Sequence, residues 1–158
     1  MKVFVVIVTF NRIELLKRSI ESVRANQPFG IIVINNGSTD GTKEWLDSQP
    51  DLIVIHQKNV GGSGGFYTGI KHAYNMGADW IWCMDDDVFP RTDCLKNLLN
   101  NATDKNIGIL APRRIMDGKI FCHDFQGYNL TRPFKSMYRQ RLVNEQVTSP
   151  TFIAGTAF

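Results

Sequence analysis

Five short apolar runs are spaced along the first 111 residues, and stretches of helical periodicity separate them. Most of these runs are rich in β-branched residues, which is typical of strands buried on both faces of a parallel sheet. The predicted strands are Val3–Thr9, Ile31–Ile34, Leu52–Ile55, Trp80–Met84 and Ile107–Ala111. Repeated β-α-β units of this kind predict an α/β fold with a doubly wound, mostly parallel sheet flanked by helices.

Apolar residues at intervals of three and four predict a first helix from Ile13, and Asn11 with Glu14 forms a candidate capping box. Further helices are expected around Trp45 and near Asp93–Leu99. The helix after the third strand is expected to pack through an apolar side made of Phe66, Ile70, Ala73 and Tyr74.

The periodicity fades after Pro112. A short strand is expected at Lys119–Phe121, followed by mixed, loop-like chain from Asp124 to Asn144. The apolar ending Thr151–Phe158 carries no polar tail, so we expect the chain to stop within a domain.

Length and composition indicate an ordinary α/β domain. The chain has 158 residues, 43% of them hydrophobic, and a net charge of +3, which is too small to predict a nucleic-acid partner. The three cysteines form no C-x-x-C motif and favour a reducing, cytoplasmic location. No apolar run approaches a membrane span, while peripheral contact with the inner face of a membrane stays open.

Three consecutive carboxylates, Asp85, Asp86 and Asp87, follow the fourth predicted strand directly. Adjacent carboxylates repel one another, and a bound cation relieves that repulsion. Along an extended segment Asp85 and Asp87 point the same way, while Asp86 faces elsewhere. Hard oxygen ligands suit Mg²⁺ or Mn²⁺, which bridge to a diphosphate. A solvated acidic turn is the other interpretation.

Three further segments follow predicted strands, at the edge where such sheets bind ligands. In Thr9–Arg12, the Phe10 ring could stack on a base and the Arg12 guanidinium could pair with a phosphate. Alternatively, Phe10 is a core residue and Arg12 a surface residue. Asn35–Ser38 is either a reader of a base edge or a turn. Asn59–Gly65 contains four glycines and is either a loop that approaches an anion closely or a flexible surface loop.

Together these segments resemble the family-2 inverting glycosyltransferases of GT-A fold, from Val3 to about Leu110. The matching motifs are Val8–Arg12, Asn36–Thr42, Asn59–Phe66 and Asp85–Asp87. The glycine-rich motif is similar to the branch of bacterial galactofuranosyltransferases and rhamnosyltransferases. The resemblance implies a nucleotide-sugar-binding core at 1–111 and the start of an acceptor-side region, itself incomplete, at 112–158.

The resemblance also implies roles for individual residues. Asp87 would be the main ligand of Mn²⁺ or Mg²⁺, with Asp85 assisting it or reaching the ribose. The residues expected to line the nucleotide-sugar site are Thr9, Phe10, Arg12, Asn35, Asn36, Asn59, Gly61, Gly62, Asp85 and Asp86. The metal would stabilise the departing nucleoside diphosphate while a carboxylate base deprotonates the acceptor hydroxyl, which attacks with inversion.

Two departures from the family pattern limit these expectations. Many members carry an aspartate where this chain has Asn35, so the donor is expected to be either a UDP-sugar or a dTDP-sugar. The acceptor is expected to be a saccharide or a lipid-linked one, and the catalytic base is expected beyond Phe158. A donor-binding fragment without turnover therefore stays open.

Two other enzyme classes are weaker alternatives. An aspartate-nucleophile phosphatase places its Asp-x-Asp after the first strand, whereas Asp85–Asp87 follows the fourth. A dinucleotide-dependent oxidoreductase is suggested only by the glycine-rich segment, which follows the third strand rather than the first.

Overall fold

The computed structural model of the protein describes residues 1–102, 107–112, 115–116, 119–120, 126–128 and 136–138. The chain divides into two compact units, Met1–Asp93 and Cys94–Phe158. The boundary expected after residue 111 between a donor-binding and an acceptor-side region stays a prediction.

The first unit contains a four-stranded sheet in the order β3-β2-β1-β4, in which every pairing is parallel. The strands are β1 (Val3–Thr9), β2 (Gly30–Asn35), β3 (Leu52–His56) and β4 (Trp80–Asp85). The predicted parallel sheet is therefore confirmed. β1 lies between β2 and β4 and is almost wholly buried, as its continuous apolar sequence requires.

Three helices cover the two faces of this sheet: α1 (Ile13–Arg24), α2 (Thr42–Asp47) and α3 (Gly61–Asn75). Val5 and Ile7 of β1 share one apolar cluster with residues of α1 and α2. Phe4 and Val6 point to the opposite face and share the other cluster with α3. The alternation along β1 therefore gives the sheet helices on both faces.

α3 packs on the sheet through two glycines together with Ala73 and partly buried Phe66, which are half of the predicted apolar side. Its buried residues are Gly65, Gly69 and Ala73, whereas Ile70 and Tyr74 are 41% and 76% exposed. The expectation that Ile70 and Tyr74 face the core is wrong. Side chains at both glycines would overlap atoms of the sheet, so the absence of a Cβ allows the helix to lie this close.

The predicted glycine-rich loop is mostly helical. α3 begins at Gly61, so only Asn59 and Val60 of the segment precede it, and Gly62–Gly65 lie within its first turns. Gly61 has φ +78°, a conformation that favours glycine and turns the chain into the helix. The flexible-loop interpretation is therefore wrong, and the amides of the segment lie at the amino end of a 15-residue helix.

In its described residues the second unit contains α4 (Cys94–Asn100) and two short antiparallel pairs. These pairs are β5 (Ile115–Met116) with β6 (Lys119–Ile120), and β7 (Gln126–Tyr128) with β8 (Ser136–Tyr138). The expected helix near Asp93–Leu99 and the expected strand at Lys119 are confirmed.

Two expectations for the second unit are wrong. Residues 107–112 form no strand, because an apolar run alone does not supply a hydrogen-bonded partner. Strands β7 and β8 lie within the stretch expected to be loop-like, and the rest of that stretch is outside the described residues, as is the ending Thr151–Phe158.

No helix in the part of the chain that the structure describes is both long enough and apolar enough to cross a bilayer.

We expect Gly69→Ala to lower the free energy of unfolding by about 1–3 kcal/mol, as overpacking does. The added methyl would meet Cγ1 of Val6, and would lie 3.3 Å from Cγ1 of Ile34. Gly62→Ala is the matched control, since a Cβ there meets nothing within 4 Å. Chemical denaturation checks both, and equal stabilities of the two variants would contradict the close packing of α3.

Candidate active site

The loops that follow the strands gather at the carboxyl edge of the sheet. Because all four strands are parallel, the β1–α1, β2–α2 and β4 loops and the amino end of α3 are all at this edge. This is the edge at which open α/β sheets bind ligands. Every candidate site residue lies in or beside these segments.

A buried carboxylate joins the ends of β1 and β4. Asp86 is 4% exposed, and its Oδ2 accepts a 2.7 Å hydrogen bond from Oγ1 of buried Thr9. Nη1 of Arg12 lies 3.4 Å from Oδ1 of Asp86 and 2.9 Å from Oδ2 of Asp87. Thr9, Arg12, Asp86 and Asp87 therefore form one polar cluster at this strand end.

The charge on Asp86 is costly where it lies. Burial raises the pKa of the Asp86 carboxyl above its ordinary value of 3.8, although the hydrogen bond from Thr9 and the positive charge of Arg12 oppose this rise. The neighbouring charge of Asp87 raises the pKa further. A cation beside these carboxylates stabilises their ionised forms.

The three aspartates do not alternate as an extended chain would. β4 ends at Asp85, and the chain turns there, with the Val88 amide 3.4 Å from the Asp85 carbonyl oxygen. Asp86 and Asp87 consequently reach the same guanidinium nitrogen of Arg12. The expectation that Asp86 faces away from Asp87 is wrong, while the shared ligand of Asp85 and Asp87 stays a prediction.

Phe10 and Arg12 both face the outside of this edge. Phe10 is 46% exposed, so the alternative in which it is a core residue is wrong. The Arg12 side chain is 51% exposed even with its ion pairs. Both groups are therefore accessible to a ligand, as stacking on a base and pairing with a phosphate would require.

Asn36 ties the end of β2 to the start of α3. Its Nδ2 donates to the Gly61 carbonyl oxygen at 3.0 Å, and its Oδ1 accepts a 2.7 Å hydrogen bond from Nε2 of Gln57. The Asn59 side chain accepts a hydrogen bond from the Gly61 amide at 2.9 Å. Asn36, Asn59 and Gly61 thus meet at the amino end of α3, and exposed Gly62 follows them.

Asn35 is 2% exposed, and its side chain is engaged within the protein. Its Oδ1 accepts a hydrogen bond from the Ser38 amide at 2.9 Å, and its Nδ2 lies 3.2 Å from Nδ1 of His56. Nε2 of His56 lies 2.8 Å from Oδ1 of Asp47, so an imidazole that accepts from Asn35 donates its own proton to Asp47. These contacts make Asn35–Ser38 a well-formed turn, and a contact of Asn35 with a base stays a prediction.

The β1–α1 and β2–α2 loops hold each other through Asn11, Ser38 and Thr39, which were not predicted to join the two loops. Asn11 has φ +54°, which asparagine tolerates better than most residues. Its amide donates to Oγ of Ser38 at 2.9 Å, and its Oδ1 accepts from the Thr39 amide at 2.7 Å. Asn11 is therefore a connector between loops and not part of a capping box with Glu14, so that expectation is wrong.

Asp40 supplies the cap that Asn11 does not. Its Oδ2 accepts a 3.0 Å hydrogen bond from the Ile13 amide at the start of α1, and its Oδ1 accepts a 3.2 Å bond from the Thr42 amide at the start of α2. One carboxylate therefore caps two helices. The only sequence signal for it is a helix-capping residue type before a glycine.

No group of three or more His, Cys, Asp or Glu residues within the described ranges is arranged to hold a metal ion by itself. Asp85 and Asp87 remain the candidate carboxylate ligands at this edge.

Comparison with known proteins agrees with this architecture. A solved mannosyltransferase from Pyrobaculum calidifontis, in complex with GDP-Man and Mn²⁺, has a TM-score of 0.55 and 23% identity, over 68% of this chain and 34% of that one. This likeness shows the fold, and the sheet with helices on both faces is of GT-A type. The sequence matches Glycosyl transferase family 2 over residues 4–157, so the chain belongs to that family.

Two curated relatives extend the comparison. The galactofuranosyltransferase GlfT1 of Mycolicibacterium smegmatis is 37% identical over 112 residues, which is 68% of this chain and 37% of that protein. The undecaprenyl-phosphate mannosyltransferase of Micrococcus luteus is 29% identical over 126 residues, 76% of this chain and 51% of that protein. The chain thus spans about a third to a half of the length of these relatives.

We expect Asp40→Asn to lower the free energy of unfolding by about 1 kcal/mol at neutral pH, as the loss of a helix cap does. The limited desolvation of this exposed carboxyl alone would raise the pKa of Asp40, but hydrogen bonds from Thr42 and Ile13 outweigh that effect and lower the pKa below 3.8. The stabilisation is therefore fully present above pH 3.8 and is lost as the pH falls through the lower pKa of the folded state.

Chemical denaturation between pH 7 and pH 3 checks this dependence. Glu21→Gln, an exposed change within α1, is the control and should track the wild type at each pH. A penalty for Asp40→Asn that stays constant down to pH 3 would show that the carboxylate charge is not what stabilises the two helices.

Proposed function

We propose that this chain forms the donor-binding part of a glycosyltransferase that moves a sugar from a nucleoside diphosphate to a saccharide or lipid-linked acceptor with inversion. The observation that carries the proposal is the cluster of Thr9, Arg12, Asp86 and Asp87 at the carboxyl edge of a family-2 domain. It combines carboxylates for a metal with a guanidinium for a diphosphate.

The residues at this edge fit a divalent cation. Mg²⁺ and Mn²⁺ accept one or two carboxylates and take their other ligands from water and substrate phosphates. Asp85 and Asp87 would hold the ion, and the Asp87 side chain is 47% exposed and accessible. When bound, the metal would neutralise charge on the departing diphosphate. The fold accepts such a pair, since the Pyrobaculum enzyme holds GDP-Man and Mn²⁺.

The protein's own groups would bind the rest of the donor. Arg12 would donate to the diphosphate, and Phe10 would stack on the base from its exposed position. Gly61 and Gly62 at the amino end of α3 would lie beside the donor. The Gly61 amide already donates to Asn59, so the Gly62 amide would face the anion that the helix dipole favours. Thr9 would act through Asp86, whose carboxylate it holds in place.

The nucleobase and the sugar of the donor are proposed from the sequence and from the names of the relatives. We propose a UDP-sugar or a dTDP-sugar, with Asn35, Asn36 and Asn59 on the nucleotide side of the site. The names of the relatives, a galactofuranosyltransferase and a mannosyltransferase, differ in the sugar and include a lipid phosphate. The second name supports a lipid-linked acceptor, and a saccharide acceptor stays a prediction.

Catalytic turnover is proposed for the whole enzyme rather than for this chain alone, because the chain spans 37% of the galactofuranosyltransferase that it resembles. A cytoplasmic location, with peripheral contact at the inner face of the membrane, stays a prediction. Family membership argues against the phosphatase and oxidoreductase alternatives.

We expect Asp87→Ala to weaken metal-dependent nucleotide binding at least about tenfold, since it removes a metal ligand. Calorimetric titration of UDP and dTDP, first with Mn²⁺ and then with EDTA, measures the effect. Nucleotide binding by the wild type should require the metal. Whichever of UDP and dTDP binds more tightly identifies the nucleotide of the donor. The thermal transition should be unchanged, because the side chain lies at the surface.

Asp51→Ala is the matched control. Asp51 directly precedes β3 at the opposite, amino edge of the sheet and pairs with Arg24. Removing its charge should leave nucleotide affinity unchanged. Equal Mn²⁺-dependent affinity in wild type and Asp87→Ala would overturn the metal assignment, and no nucleotide binding to the wild type would overturn the donor site in this chain.

A further inference from the structure

Arg12 lies beside Asp87, at the position that a metal ion bound to the same carboxylate oxygen would occupy. Its Nη1 lies 2.9 Å from Oδ2 of Asp87, which is the carboxylate proposed as the main metal ligand. A guanidinium and a divalent cation at the same oxygen repel each other and compete for its lone pairs. A metal that binds Oδ2 of Asp87 must therefore displace Arg12 from that oxygen.

The contact between Arg12 and Asp87 is built so that it can open. The two side chains are 51% and 47% exposed, and ion pairs this accessible to water contribute little stability. The Asp86 side chain, by contrast, is 6% exposed and stays fixed by the Thr9 hydroxyl. Separation of Arg12 from Asp87 would leave the hydrogen bond between Thr9 and Asp86 intact.

The backbone of Arg12 stays in place when its side chain moves. Its carbonyl oxygen accepts the 2.9 Å hydrogen bond from the Leu16 amide, which is the first bond of α1. The preceding residue, Asn11, is held by Ser38 and Thr39. The guanidinium can therefore turn away from Asp87 only by rotation of its own side chain, and it remains at the same edge of the sheet.

We infer that Arg12 is an internal counter-ion which a divalent cation displaces from Asp87, and that the released guanidinium then pairs with the diphosphate of the donor. This inference rests on the proposed function. It makes metal and nucleotide binding cooperative: the metal alone must displace Arg12, whereas metal with nucleotide gives the guanidinium a new partner. The chain thereby discriminates against the metal without its nucleotide.

Arg12→Gln separates the role of Arg12 as counter-ion of Asp87 from its role as partner of the diphosphate. The variant should raise the affinity for Mn²⁺ and lower the affinity for the nucleotide. Without nucleotide, Mn²⁺ affinity should rise by about threefold or more, since the competing ion pair and charge are gone. With saturating Mn²⁺, UDP or dTDP affinity should fall by about tenfold or more, since a charge-assisted bond is lost. Electron paramagnetic resonance of free Mn²⁺ measures the first, and calorimetry measures the second.

Two further variants control for charge and folding. Arg18→Gln removes a positive charge from the same helix, where the guanidinium lies 4.7 Å from the centre of the Phe89 ring, and should change neither affinity. Arg12→Lys keeps the charge and should leave Mn²⁺ affinity closer to that of the wild type. Thermal unfolding of each variant reports whether the fold is retained.

The outcomes distinguish the inference from the function beneath it. One outcome is that the wild type binds Mn²⁺ with nucleotide while folded Arg12→Gln has unchanged or weaker Mn²⁺ affinity. That outcome would overturn the displacement but would still support the donor site. If Mn²⁺ affinity rose equally in Arg12→Gln and Arg18→Gln, the effect would be general charge repulsion. That result would likewise overturn the displacement. Absence of any metal or nucleotide binding to the wild type would overturn both proposals.

Discussion

The hydrogen bond between the Thr9 hydroxyl and the Asp86 carboxylate is the contact on which the arrangement of the site depends. It joins the ends of two neighbouring parallel strands at the point where both leave the sheet. Because Asp86 is buried, its charge requires that donor and the guanidinium of Arg12. The same bond therefore fixes where β4 turns and where Asp87 emerges into solvent.

The remaining loops depend on each other in the same way. A parallel sheet leaves all its carboxyl-end loops at one edge, and their polar backbone groups need partners there. Asp40 caps α1 and α2 together, and Asn36 holds the first residue of α3. The close packing of Gly65 and Gly69 on β1 and β2 brings the amino end of α3 to that edge. Packing far from solvent thus determines which amides face a ligand.

Periodicity was sufficient to predict the sheet, since apolar runs form both the buried strands β1 and β2 and the less buried strands β3 and β4 that flank them. For α3 it predicted Phe66 and Ala73 but missed Gly65 and Gly69, because a hydrophobicity pattern does not detect residues that pack closely by lacking a side chain. It also failed at Ile107–Ala111, where strand formation requires a partner that the local sequence does not specify. The acidic strand end was predicted, but its turn after Asp85 was not, because extended geometry was assumed to continue.

The hydrogen bonds that position the site residues could not be predicted from the sequence. Asn11, Ser38 and Asp40 make contacts between loops 27 residues apart, and such residue types are equally common in turns that bind nothing. Asn35 illustrates the consequence: it was expected to contact a base, yet its amide is already engaged by Ser38 and His56. A contact with a nucleotide base must therefore be added to these bonds or replace one of them. For the proposed donor site, we therefore expect specificity to depend on how firmly the β2–α2 turn is held, as well as on the residue at position 35.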